Sequence, residues 1–172
     1  MCRSVSDIVG QTAKKWLEER GVTCEDIAEL VLFLQKDYHP NLTIEQCLDN
    51  IHHVLAKREV QNAILTGIAL DRLTEKGAID EPLLDMLKRD ESLYGVDEVI
   101  ALSIVNVYGS IGFTNYGYID KQKPGILNRL NDKSTGECHT FLDDIVGAIA
   151  AAASSRLAHS ASSNQPSQNL DD

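Results

Sequence analysis

A chain of 172 residues, 43% hydrophobic and 24% charged, has the composition of one globular domain and not of a disordered or membrane-embedded polypeptide. Sixteen Lys and Arg against 26 Asp and Glu give a formal charge of -10, which argues against general nucleic-acid binding and favours cations, metals among them. Cys2, Cys24, Cys47 and Cys138 stand far apart with no CxxC pair and no signal-peptide pattern, as reduced cytoplasmic thiols do.

The first expected helix starts at Ser4 or Ser6, carries Ile8, Val9, Ala13, Trp16 and Leu17 on one face, and runs to Arg20 before Gly21 stops it. Thr23 caps a second, to about Asp37, with Ile27, Leu30, Val31 and Leu34 inward and Asp26 where a capping box places Glu. Thr43 opens the longest expected helix, a single element through Ile44, Leu48, Ile51, Leu55, Val60, Ile64, Ile68 and Leu73 to Gly77. Asp80 and Pro82 restart a short helix through Leu83, Leu84 and Leu87, followed by a charged loop from Lys88 to Gly95.

Val96 to Ser110 and Phe141 to Arg156 are apolar nearly all round, the mark of helices at the centre of a bundle. Between them, Asn115 to Asp132 forms one or two short helices broken at Pro124 and Gly125. Residues 160–172 lack periodicity and bulk and read as a disordered tail behind a domain of residues 1–159. No apolar stretch reaches the roughly 20 residues that span a bilayer, so no transmembrane insertion is expected. The fold class expected is all-α: a single-domain bundle of six to eight helices with the apolar C-terminal helix near its centre.

Asp97 and Glu98 open one of the two apolar helices, Asp143 and Asp144 open the other, and Asp120 lies between. Acids in a first helical turn complement the helix dipole, worth about 0.3–1 kcal/mol each, and singly need no ligand. Their multiplicity says more. Adjacent helical residues project about 100° apart, so each pair turns at least one carboxylate toward apolar neighbours, where an ionised acid is costly without compensation. Lys121, Lys123 and Arg129 are candidate cationic partners, and a hard divalent ion such as Mg²⁺ is held by oxygen ligands of this kind.

Gly109, Gly112, Gly147 and the alanines 150–153 allow close helix approach, as plain tight packing also would. His52 and His53 are consecutive and cannot share a helix face, and His39 and His159 sit in a turn and near the tail. His139, beside Cys138, leads into the acidic helix, but the two alone do not make a zinc site. GxSxG, P-loop and GxGxxG patterns are missing, and Tyr116 and Tyr118 read as packing groups.

Three features occur in order: the Asp97–Glu98 pair starting an apolar helix, Asp120 with Lys123 and Pro124 in YIDKQKP, and Asp143–Asp144 in DDIVGA. Over roughly residues 95 to 155 this pattern resembles phosphatidylglycerophosphatase A, a Mg²⁺-dependent lipid phosphatase that converts phosphatidylglycerophosphate to phosphatidylglycerol. The resemblance implies catalytic roles for Asp97, Asp120, Lys123 and Asp144, and Glu98, Asp120, Asp143 and Asp144 as ligands of Mg²⁺ or Mn²⁺. The acids would bind metal and activate water while Lys123 faces phosphate.

The chain departs from the family in lacking membrane-spanning segments and the N-terminal glycine- and proline-rich motif, of which Thr66 and Gly67 are the nearest trace. Gly117 stands where the family commonly has an arginine, three residues before Asp120. The function expected is metal-dependent hydrolysis of a phosphomonoester, on a phosphorylated small molecule or a phospholipid head group. The location expected is the cytoplasm, compatible with peripheral docking at a membrane. Two alternatives stand beside it: a non-catalytic metal- or ligand-binding relative, and a structural helical homo-oligomer using the Gly and Ala faces.

Overall fold

A computed structural model of the chain describes residues 5–162. Nine α-helices follow one another: α1 (Val5–Glu19), α2 (Cys24–Gln35), α3 (Ile44–Leu55), α4 (Arg58–Glu75), α5 (Leu83–Arg89), α6 (Val96–Val105), α7 (Ser110–Gln122), α8 (Ile126–Leu130) and α9 (Leu142–Ser162). Two short 3₁₀ turns, Asn106–Tyr108 and Lys133–Thr135, complete the described residues, and no strand occurs among them. The all-α expectation therefore holds. The helix number exceeds the expected six to eight because one long helix is split in two.

Thr23 and Thr43 open α2 and α3 with reciprocal capping boxes. Thr23 Oγ1 accepts the Asp26 N–H at 3.1 Å while Asp26 accepts the Thr23 N–H at 2.8 Å, and Thr43 and Gln46 repeat the exchange at 3.3 and 3.0 Å. Of the two caps considered for α1, Ser6 lies inside the helix and Ser4 lies outside the described residues.

The single helix expected from Thr43 to Gly77 breaks after Leu55. Ala56 closes α3, and Lys57 is extended (φ -77, ψ 132) before α4 begins. Gln61 reaches back from α4 and donates its side-chain amide to the Leu55 carbonyl at 2.9 Å, satisfying a buried acceptor that the break exposes. Further on, α6 ends at Val105 and not at Ser110. The 3₁₀ turn and Gly109, at φ 80, reverse the chain so that α7 starts at Ser110, ahead of the expected Asn115.

α9 is the axis of the molecule. Residues 141–155 are all buried, and α9 packs against α2, α3, α4, α6, α7 and α8. Its small residues permit this: Ala150 to Ala153 are fully buried, and Gly147 faces Ile119, Leu127 and Tyr116. The helix continues through Ser162, and the tail expected to be disordered lies, from residue 163 on, outside the described residues. Among the described residues no helix is long and apolar enough to cross a membrane.

Candidate active site at the start of the central helix

Lys123 terminates α7 in the left-handed region (φ 45, ψ 49), donating its N–H to the Ile119 carbonyl at 2.8 Å, and Pro124 prevents the helix from continuing. Its ammonium lies among three carboxylates. Nζ is 2.6 Å from Asp120 Oδ1, 2.9 Å from Asp143 Oδ2 and 3.7 Å from Asp144 Oδ1. Asp143 and Asp144, in the first turn of α9, are only 7% and 6% exposed, and Asp143 Oδ1 accepts the Asp144 N–H at 2.9 Å.

On α6, Asp97 is also buried, and its Oδ1 accepts the Glu98 N–H at 3.0 Å. Glu98 itself is exposed. The fold thus unites Asp120, Lys123, Asp143 and Asp144, brings Asp97 within electrostatic reach of Asp144, and leaves Glu98 facing solvent.

Charge at this point is unbalanced, with three carboxylates around one ammonium and Asp97 within electrostatic reach of Asp144. Burial, and then the neighbouring Asp143, push the Asp144 carboxyl up to about 8, with Asp120 and Asp97 adding to the effect and Lys123 opposing it. Asp143 is also raised by burial, against the pull of Lys123, and Asp97 is raised chiefly by burial. Burial acts to lower the Lys123 pKa, yet Asp143 and the bonds to both carboxylates outweigh it, so the ammonium is held charged above its ordinary range.

Hard oxygen donors carrying uncompensated negative charge suit Mg²⁺ or Mn²⁺ chemically. Among the described residues, however, no three His, Cys, Asp or Glu side chains are arranged as a ready coordination cage, and Lys123 stands between Asp120 and Asp143. The other cations considered lie elsewhere. Arg129 donates to the carbonyls of Arg20 and Gly21 at 3.1 and 2.7 Å, and Lys121 is exposed. His139 is buried, with Nδ1 3.0 Å from the Leu130 carbonyl and Nε2 3.5 Å from Glu137, and burial lowers its pKa.

Two residues gain a meaning that the sequence did not convey. Tyr116 is a packing group as expected, set against Gly147, but its buried hydroxyl has no hydrogen-bond partner among the described residues and lies within electrostatic reach of the same acids. Asp71, on α4, is completely buried and accepts the backbone N–H groups of Phe141 and Leu142 at the start of α9. The sequence pointed elsewhere: Thr140 stands where a helix beginning at Phe141 would take its cap, but its hydroxyl donates to the Leu87 carbonyl instead.

The fold is an all-α bundle with a carboxylate-rich cluster at the start of its central helix. The family model of phosphatidylglycerophosphatase A matches residues 15–159, and the chain belongs to that family. It is 75% identical over 149 residues to the uncharacterised protein YutG of Bacillus subtilis (strain 168), covering 87% of this chain and 90% of the relative. A solved protein of unknown function from Bacillus stearothermophilus has 75% identity and a TM-score of 0.87, over 88% of this chain and 94% of that one. The low temperature requirement C protein from Listeria monocytogenes superposes with a TM-score of 0.89 at 63% identity, over 94% and 99% of the two chains.

Proposed function

We propose that the protein is a Mg²⁺- or Mn²⁺-dependent phosphomonoesterase acting on a phospholipid head group, phosphatidylglycerophosphate above all, from the cytoplasmic side of the membrane. The observation that carries this reading is the excess of buried carboxylates at the start of α9, within the span that the family model matches. Asp97, Asp120, Asp143 and Asp144 are the residues that would hold the cation. Bound there, it would offset the negative potential and supply Lewis-acid polarisation of a phosphoryl oxygen.

The chain's own groups then divide the work. Asp144, buried beside Asp143, is the carboxylate that would take a proton from water once the cation has displaced its own, as a general base requires. Lys123 has three ammonium donors. Two are engaged by Asp120 and Asp143, and the third, beyond hydrogen-bond distance of Asp144, is available to a phosphate oxygen. Exposed Glu98 belongs at the rim of such a site, not at its base.

A second reading rests on the same lysine: the Lys123 pairs join α7 to α9, so the cluster serves stability alone. Phosphate release from phosphatidylglycerophosphate and from small phosphomonoesters, with Mg²⁺ and with chelator, separates the two. The first reading expects Mg²⁺-dependent release, greatest for the lipid. No release from any ester, with melting unchanged by metal, would leave the structural reading standing.

A further inference from the structure

The start of α9 has no cap of its own. Phe141 precedes its first residue and carries no side-chain acceptor, although a helix N-terminus leaves backbone N–H groups in need of one. Asp71 supplies the acceptors from another helix. Its Oδ1 receives the Phe141 N–H at 3.1 Å and its Oδ2 the Leu142 N–H at 3.0 Å, across 70 and 71 residues of chain. One helical turn earlier on α4, Gly67 allows the approach: a Cβ there would stand 2.2 Å from Ile145 Cδ1 and 3.0 Å from Phe141 Cβ.

The residues leading into α9 are anchored from the same side. Cys138 donates its N–H to Glu75 at 2.8 Å, its carbonyl accepts from Arg20 at 3.0 Å, and the Thr140 hydroxyl donates to the Leu87 carbonyl at 2.8 Å. Asp143 and Asp144 come directly after. Their place opposite Lys123 of α7 therefore depends on how this turn is held to α4.

We infer that Asp71 is the positioning residue of the site: by capping α9 from α4 it sets where Asp143 and Asp144 meet Lys123 and the substrate phosphate. It bonds to Phe141, Leu142 and Cys138 and to none of Asp143, Asp144 and Lys123, so it acts through the helix start it fixes. A carboxyl group suits the task because each of its oxygens has a lone pair for one N–H. An asparagine offers one oxygen and turns an NH₂ against a backbone N–H.

The kinetic half of the test rests on the phosphomonoesterase reading, and the spectroscopic half does not. Asp71→Asn is compared with Val60→Ala, a buried substitution on the same helix about 16 Å away along the axis. With Mg²⁺ and phosphatidylglycerophosphate, Asp71→Asn is expected to lower kcat about tenfold or more while KM stays within about twofold. It is also expected to shift the ¹⁵N–¹H signal of the Lys123 ammonium, which reports the contact with Asp143. Val60→Ala is expected to lower Tm while leaving kcat and that signal as in the wild type.

Values for Asp71→Asn that match Val60→Ala would overturn the inference. If Asp71→Asn does not fold, Gly67→Ala crowds the same junction without touching the carboxylate. A folded Gly67→Ala protein with normal kcat and an unchanged Lys123 signal also overturns it, and loss of both supports it. Should the wild type release no phosphate from any ester, the proposed function falls, and the Lys123 signal alone decides the role of Asp71. A shift in Asp71→Asn and not in Val60→Ala supports the role, whereas constancy in both removes it.

Discussion

Lys123 is held by a left-handed turn in contact with acids from two helices, so its substitution and that of Asp120 should have different consequences. Lys123→Ala removes the fixed cation and the donor nearest an incoming phosphate. Phosphate release is expected to fall about 100-fold, while the Mg²⁺-induced rise in Tm is at least as large as in the wild type. Asp120→Ala removes a cation ligand and is expected to reduce both. Parallel phosphate-release assays and thermal scans check this, and activity surviving both substitutions would dismiss the site. The residues were legible in the sequence only as ordered motifs. Helical periodicity gave no reason for Asp120 of α7 and Asp143 of α9 to share one ammonium, since that depends on how two helices pack.

Among the elements, α9 was the easiest to place, because a helix apolar on every side has only the centre of a bundle to occupy. The α3–α4 break was harder, with neither Gly nor Pro to mark it. Its trace is a change of phase: Ile51 to Leu55 and Val60 to Ile64 are steps of four, whereas Leu55 to Val60 is a step of five. Gln61 stabilises that break. Gln61→Ala leaves the Leu55 carbonyl without its bond and is expected to cost about 1–3 kcal/mol in urea unfolding, with little effect on Mg²⁺ response. An unchanged unfolding midpoint would show that the break needs no such support. The cap from Asp71 was illegible for another reason: an aspartate on an amphipathic helix ordinarily faces water, and only the packing of α4 on α9 buries it.

For the molecule as a whole, the buried acids make stability depend on pH in an unusual direction. Burial pushes both Asp71 and Asp144 up to about 8, while unfolded aspartates titrate near about 3.9. Above pH ~4 the folded state thus binds more protons than the unfolded one, and stability falls as pH rises toward 8. His139, whose pKa is lowered by burial, acts in the opposite sense, but only below its unfolded value of about 6.5. The metal-free protein is therefore expected to lose stability, and with it Tm, between about pH 6.5 and 8, by at most about 1.4 kcal/mol of stability per pH unit for each group. The gain from Mg²⁺ should grow over the same window, because ligands must shed protons to bind it. Scanning calorimetry with chelator and with Mg²⁺ measures both, and a metal-free Tm that rises with pH would contradict the assignment.

The central place of α9 also has a consequence for how the protein is made. Of the described helices it is the last to be synthesised, yet α2, α3, α4, α6, α7 and α8 all bury their inner faces against it. Until it leaves the ribosome, those helices lack the surface they share, and Lys123 lacks Asp143 and Asp144. Domains generally form as units as the chain emerges. Here the unit waits for this strut, so a chain without it leaves the faces that pack on α9 uncovered, and the native fold and the carboxylate cluster arrive together.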